Sequence, residues 1–141
     1  MAKINYMMLL ITLALIVSIA GCSKKQGINF NGYYSNKKDF NKVHVYFRFY
    51  ADGTVTSALP VPVNNNYTLN IGELDKDNIK ECTIRGKYSL KGNEVVFKLV
   101  DKNGSADFSG EFKKNKLDLK VHSNIYGKDS YDSYDFYPYK W

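Results

Sequence analysis

The chain has 141 residues and a formal charge of +6, with acids and bases interspersed along it. That length holds one domain with a real core and excludes two. The mixed signs describe a solvated surface and exclude a block of like charge.

The first segment is apolar. Met7–Ala20 is interrupted only by Thr12 and Ser18 and follows Lys3, the pattern of a secretory leader. As a helix it would reach ~21 Å at ~1.5 Å per residue, short of a hydrocarbon core ~30 Å thick. Ile19-Ala20-Gly21-Cys22 closes the run as apolar, small, small, cysteine, the bacterial lipobox. Residues 1–21 are therefore expected to be cleaved as a signal peptide, and Cys22 to be acylated and become the mature N-terminus. The expected address is the cell envelope. Ser23 is not the Asp that holds lipoproteins at an inner membrane, so a diderm cell would send the protein to its outer membrane and a monoderm cell to its cell membrane. An exported protein does not meet nucleic acid. The basic balance then points to an anionic membrane surface, which the acyl chains on Cys22 would engage.

Residues 22–28 form a short basic tether carrying Lys24 and Lys25. As a flexible coil, six residues span ~12–15 Å. The domain proper is expected over 29–141. Acylation of Cys22 would leave Cys82 as a lone thiol, and Cys82 shares the phase of Ile84, Tyr88 and Leu90, as a small inward hydrophobe would.

Beyond the tether every periodicity is two. Val43, Val45, Phe47 and Phe49 alternate with His44, Tyr46, Arg48 and Tyr50, and Ala51-Asp52-Gly53 turns the chain into Thr54–Leu59. A strand is expected through Tyr67, Leu69 and Ile71, and a helical turn or two between Gly72 and Glu81. Strands follow over Cys82–Leu90, then around Val95, Phe97 and Leu99, and around Ala106, Phe108 and Phe112. Leu117, Leu119 and Val121 alternate next, and the last strand runs from about Tyr131 to Tyr137 with Tyr134 and Phe136 on one face. No apolar 3.6-residue period follows the leader. The expected fold is all-β: an antiparallel up-and-down meander of eight or nine strands, closed to remove its edges. Phe30, Phe47, Phe49, Phe97, Phe108 and Phe112 fall on the inner phase, as a solid core or as the lining of a cavity.

Asn31-Gly32-Tyr33-Tyr34, Phe49-Tyr50-Ala51-Asp52-Gly53-Thr54, Gly86-Lys87-Tyr88 and Gly92-Asn93-Glu94-Val95 resemble bacterial lipocalin-like lipoproteins. Ser109-Gly110-Glu111-Phe112, Lys116-Leu117-Asp118-Leu119 and Tyr134-Asp135-Phe136 extend the likeness over about residues 29–137. Lipocalins start their barrel with Gly-x-Trp, whose Trp plugs the closed end. Here Gly32-Tyr33-Tyr34 gives that role to Tyr34. The resemblance implies a barrel that holds an apolar small molecule, without naming one.

Catalytic sets are hard to assemble. His44 and His122 lie on outward phases far apart, without the tight spacing of a zinc site. Asp129, Asp132 and Asp135 lack the alternate spacing and central Gly of a calcium loop. No Gly-x-Ser-x-Gly elbow or phosphate-cradling glycine loop occurs. The expectation is a protein that is not an enzyme and needs no cofactor or metal. One reading is non-catalytic binding of a small apolar or amphipathic ligand, lined by Phe47, Phe49, Phe97, Phe108 and Phe112. The other is an envelope protein–protein module, an inhibitor, immunity or surface-exclusion factor, using outward aromatics such as Tyr46, Tyr50, Tyr126, Tyr131 and Trp141. An open interior of several hundred cubic ångströms would favour the first, and a filled one beneath an exposed aromatic patch the second.

Overall fold

A computed structural model describes residues 27–36, 44–58, 62–63, 66–67, 71–77 and 83–141. The leader, the lipobox with Cys22, the two tether lysines and Cys82 lie outside the described residues. In chain order the strands are β1 (Gly32–Ser35), β2 (Tyr46–Phe49), β3 (Thr54–Ala58), β4 (Pro62–Val63) and β5 (Asn66–Tyr67). After a 3-10 turn at Ile71–Leu74 come β6 (Thr83–Lys91), β7 (Glu94–Asp101), β8 (Gly104–Lys113), β9 (Lys116–Ser123) and β10 (Lys128–Pro138). Eight of them close into an antiparallel barrel in the order β1-β10-β9-β8-β7-β6-β3-β2, while β4 and β5 pair only with each other. The all-β meander read from the alternation is therefore the fold. The strand expected through Ile71 is not: β5 ends at Tyr67, and Ile71 opens the 3-10 turn.

Local chemistry explains the turns. At the β2–β3 hairpin Gly53 takes φ 79°, and its N–H donates to the Tyr50 carbonyl at 3.1 Å. Asp52 Oδ1 accepts from the Thr54 N–H at 3.0 Å, an Asx-type brace across the same turn. Closure depends on β6 serving two neighbours. Its first half pairs with β3, from Ala58↔Thr83 to Thr54↔Lys87, and its second half with β7, from Tyr88↔Phe97 to Lys91↔Glu94. Gly86 stands at the changeover, where a Cβ would lie 2.5 Å from the Lys98 carbonyl oxygen. A side chain there would push β7 away, so glycine lets the wall bend.

Two parts of the wall bury themselves differently. Along β7 and β9 burial alternates, with Val95, Phe97 and Leu99, and then Leu117 and Leu119, directed inside. Strands β1 and β3 are buried on both faces, because a second apolar cluster lies outside the barrel. Tyr33, Tyr46, Ala58 and Leu74 form it, with Ile71 and Tyr137 against them. The 3-10 turn is strapped down by hydrogen bonds. The Leu74 carbonyl accepts from Tyr50 Oη–H at 2.6 Å and Thr56 Oγ1–H at 2.7 Å, and Thr83 Oγ1–H donates to the Glu73 carbonyl at 2.8 Å. The Arg48 guanidinium lies over Trp141, 3.2 Å from the ring centroid, and over Tyr50 at 4.4 Å. Tyr46 does point outward, but it is only 7% exposed beneath this cluster and offers no surface to a partner. Phe30 is 40% exposed, outside the inner set to which alternation assigned it. It precedes β1, where no pleat dictates its direction. Leu90 is likewise exposed at the end of β6, while Ile84 and Tyr88 pack on the core as expected.

Candidate functional site: the mouth of the barrel

The hairpin turns and the chain entry divide between two ends. The β2–β3, β6–β7 and β8–β9 turns and the segment before Gly32 share one end. The β7–β8 and β9–β10 turns share the other with the outgoing ends of β1 and β3.

The first end is solid. Tyr34 meets Phe112 and Phe136 with ring centroids 5.3 and 5.2 Å apart, and Phe49 stands edge-on to Phe112 at 5.1 Å and to Tyr88 at 5.3 Å. Ile28 packs beneath them, and the Asn29 N–H donates to Tyr34 Oη at 3.2 Å. Tyr34 thus sits where the closed-end plug was expected. Burial raises its phenol pKa, and the Asn29 hydrogen bond only partly offsets that.

The second end is hollow. A cavity of ≈ 490 Å³ opens there, within the range of small-molecule sites. Phe47 underlies its floor, edge-on to Phe108 at 5.6 Å and to Tyr134 at 5.0 Å. Val45, Ile84, Leu99, Ala106 and Val121 make the walls, and Ile125 leans over Gly104 at the rim. The space exists because inward positions here are small: Ser57, Gly104, Ala106 and Ser123 stand where the other end carries Val55, Phe112, Leu117 and Leu119. Polar groups meet it from two parts of the wall. Asn36 is buried, accepts the Val45 N–H at 2.8 Å and donates to Asp132 Oδ2 at 3.0 Å, tying the β1 exit to β10. Asp101 Oδ1 caps the β7–β8 turn, accepting from the N–H groups of Asn103 and Gly104 at 2.7 and 2.9 Å. Burial pushes the Tyr134 phenol well above its ordinary pKa, with a smaller contribution from the Asp132 charge.

The five phenylalanines read as lining divide accordingly. Phe47 and Phe108 meet the cavity. Phe97 stands behind Phe108, stacked on it at 4.5 Å and 3°, and Phe49 and Phe112 belong to the packed end. The small wall residues and the rim carboxylates were missed. Their signal was present: inward positions shrink or turn polar toward the mouth, from Val55 to Ser57 in β3, from Phe112 and Phe108 to Ala106 in β8, and from Leu117 and Leu119 to Ser123 in β9.

The titratable clusters lie elsewhere. His122 Nδ1 and Lys120 Nζ each approach Asp129 at 2.7 Å on the outer face of β9–β10. Both hold the Asp129 carboxyl below its usual range, Lys120 more strongly. Asp132 faces inward while Asp135 pairs outward with Lys116 at 3.8 Å, so the aspartates of β10 do not converge. Among the described residues no group of three or more His, Cys, Asp or Glu is placed to hold a metal ion, and no helix is long and apolar enough to cross a membrane. No protein-family model, curated protein or solved structure matches the chain.

Proposed function

We propose that this is a lipid-anchored envelope protein whose lipocalin-like barrel binds a small apolar or amphipathic molecule without chemical turnover. The observation that carries the reading is the apolar cavity at one end of a barrel whose other end is solid. A folded domain gains stability by filling such a space, so an open one lined by Val, Ile, Leu and Phe is a site for a ligand.

The tether adds a direction. The described chain enters at the packed end, and four residues, five Cα–Cα steps, separate Cys22 from Gly27, ~18 Å at full extension. Strand β10 spans the wall from Lys128 to Pro138, ~34 Å along the strand and ~26 Å along a barrel axis tilted by ~40°. An anchor on Cys22 cannot lift the packed end high enough to press the mouth onto its own membrane. The ligand then arrives from the aqueous side or from another protein.

Two experiments test this. Tagged fatty acid fed to cells should label the wild type and not Cys22→Ser; equal labelling of both removes the anchor. Residues 23–141 contain the whole closed barrel and both buried clusters. That domain should bind the neutral dye N-phenyl-1-naphthylamine saturably, and Ala106→Trp, which fills the cavity, should abolish the signal. No saturable binding by the wild type defeats the ligand reading. The partner reading would then rest on the mouth itself, where Tyr126 and Tyr131 stay 75% and 72% exposed.

A further inference from the structure

Exposed apolar side chains gather at the packed end, where the chain enters the barrel. Phe30 precedes β1, Leu90 stands near the end of β6, and Tyr139 and Trp141 trail beyond β10. The Tyr139 N–H donates to the Asn31 carbonyl at 3.0 Å, and its ring stands 4.7 Å from that of Trp141. The outer aromatic cluster supports the pair: Tyr139 meets Tyr33 at 6.5 Å, and Trp141 lies over Arg48. Lysines surround the same end. Lys91 at the β6–β7 turn, Lys114 at the β8–β9 turn and Lys140 beyond β10 are exposed, and none has an ion pair among the described residues. Most acids nearby are engaged: Asp52 by Lys76, Glu111 and Asp118 by Lys113, and Asp135 by Lys116. Asp75 and Asp77 lie on the β2–β3 flank with Arg48 and Lys76, which leaves Glu94 at the rim against three lysines. The sequence adds Lys24 and Lys25 to the stretch leading into Gly27.

We propose that the packed end is a membrane seat on an anionic phospholipid surface. Phe30, Leu90, Tyr139 and Trp141 enter the head-group layer, Lys91, Lys114 and Lys140 meet its phosphates, and the barrel stands with its mouth turned to the aqueous side. This rests on the lipid-anchor reading above and adds to it a face of the folded domain. Tyrosine and tryptophan favour that layer because the ring is apolar while the hydroxyl or N–H stays wet. Basic side chains add an attraction that falls off within a Debye length of the surface. A short anchor holds these groups beside the lipid at high effective concentration, so contacts too weak to recruit the protein suffice to orient it. Ile125 and Tyr126 are exposed as well, but at the mouth, ~26 Å away along the axis.

Trp141 is the chain's single tryptophan and reports on the seat directly. The acylated protein is purified from membranes and reconstituted into vesicles of phosphatidylglycerol and phosphatidylcholine, part of the latter brominated on acyl carbons near the head group. Bromine quenches an indole only on contact. Trp141 emission should shift to the blue and be quenched, whereas the double variant Trp141→Phe, Tyr126→Trp, with its indole at the mouth, should do neither. Residues 23–141 without acyl chains should partition onto phosphatidylglycerol vesicles at low salt in preference to phosphatidylcholine. Lys114→Gln and Lys140→Gln, both at exposed positions, should each cut that partition about fivefold, and added salt should abolish the preference. Unquenched Trp141 in protein that carries the fatty-acid label, quenching of the indole at the mouth instead, or partition indifferent to lipid charge overturns the seat while the anchor stands. A dimer of residues 23–141 that buries Trp141 without vesicles, seen by sedimentation, assigns the face to a second copy and also overturns it. Absence of the label from the wild type removes the anchor and the seat together.

Discussion

At one end of the barrel Tyr34, Phe49, Phe112 and Phe136 interlock ring against ring. At the other, Val45, Ala106 and Val121 surround ≈ 490 Å³ of open space, on strands that in part run through both regions. Strand β8 carries Phe112 at the packed end and Ala106 at the mouth, with Phe108 between. The alternation is the same throughout. Side-chain volume at inward positions makes the difference, because eight strands enclose a roughly constant width that rings fill and small residues do not. A period-two pattern therefore specifies a barrel without specifying whether it is solid. The contrast also separates stability from binding: the packed end holds the wall together, and the mouth is free to be hollow.

The largest expected effect uses no mutation. Burial raises the phenol pKa values of Tyr34, Tyr50, Tyr88 and Tyr134 above the ordinary value near 10. The unfolded chain ionises first, so the stability they contribute is intact below about pH 10 and is lost as pH rises through the folded values. Ultraviolet absorbance should show a group of phenols ionising late, together with loss of the β circular-dichroism signal. Ionisation of all the tyrosines near 10 in a fold that stays intact would contradict the packing.

Phe49→Ala comes next. Fully buried among Tyr34, Tyr88, Phe97 and Phe112, it leaves a void with no outlet, and urea unfolding should report a loss of ~3–5 kcal/mol. Phe108→Ala sharpens the contrast. It widens an existing space, so the loss should be nearer ~1–2 kcal/mol while dye affinity drops. Equal losses at the two sites would mean that the mouth is packed in solution. Smallest is Val96→Thr, on the outer face of β7 and half exposed, which should change stability by no more than ~0.5 kcal/mol and leave dye binding unchanged.

Much of this was legible beforehand. The hairpins at Gly53 and Gly92, the alternation of β7 through β9 and the inward pair Tyr134 and Phe136 follow from turn chemistry and from the two-residue pleat, both local properties. Part of the candidate site was legible too: two of the five phenylalanines read as lining, Phe47 and Phe108, meet the cavity. The remainder required neighbours that are distant in sequence.

Tyr46 is the sharpest case. Local pattern directs it outward, and outward normally means solvent. Only the return of Ile71–Leu74 across β2 and β3, fastened by the Leu74 carbonyl to Tyr50 and Thr56, turns that face into a second core. The mouth is the same kind of decision. Asp101 and Asp132 lie thirty-one positions apart in the chain, and closure of the sheet brings them to one cavity. Alternation is set by the geometry of one strand. Burial, volume and charge at a site are set by what the rest of the chain lays against it.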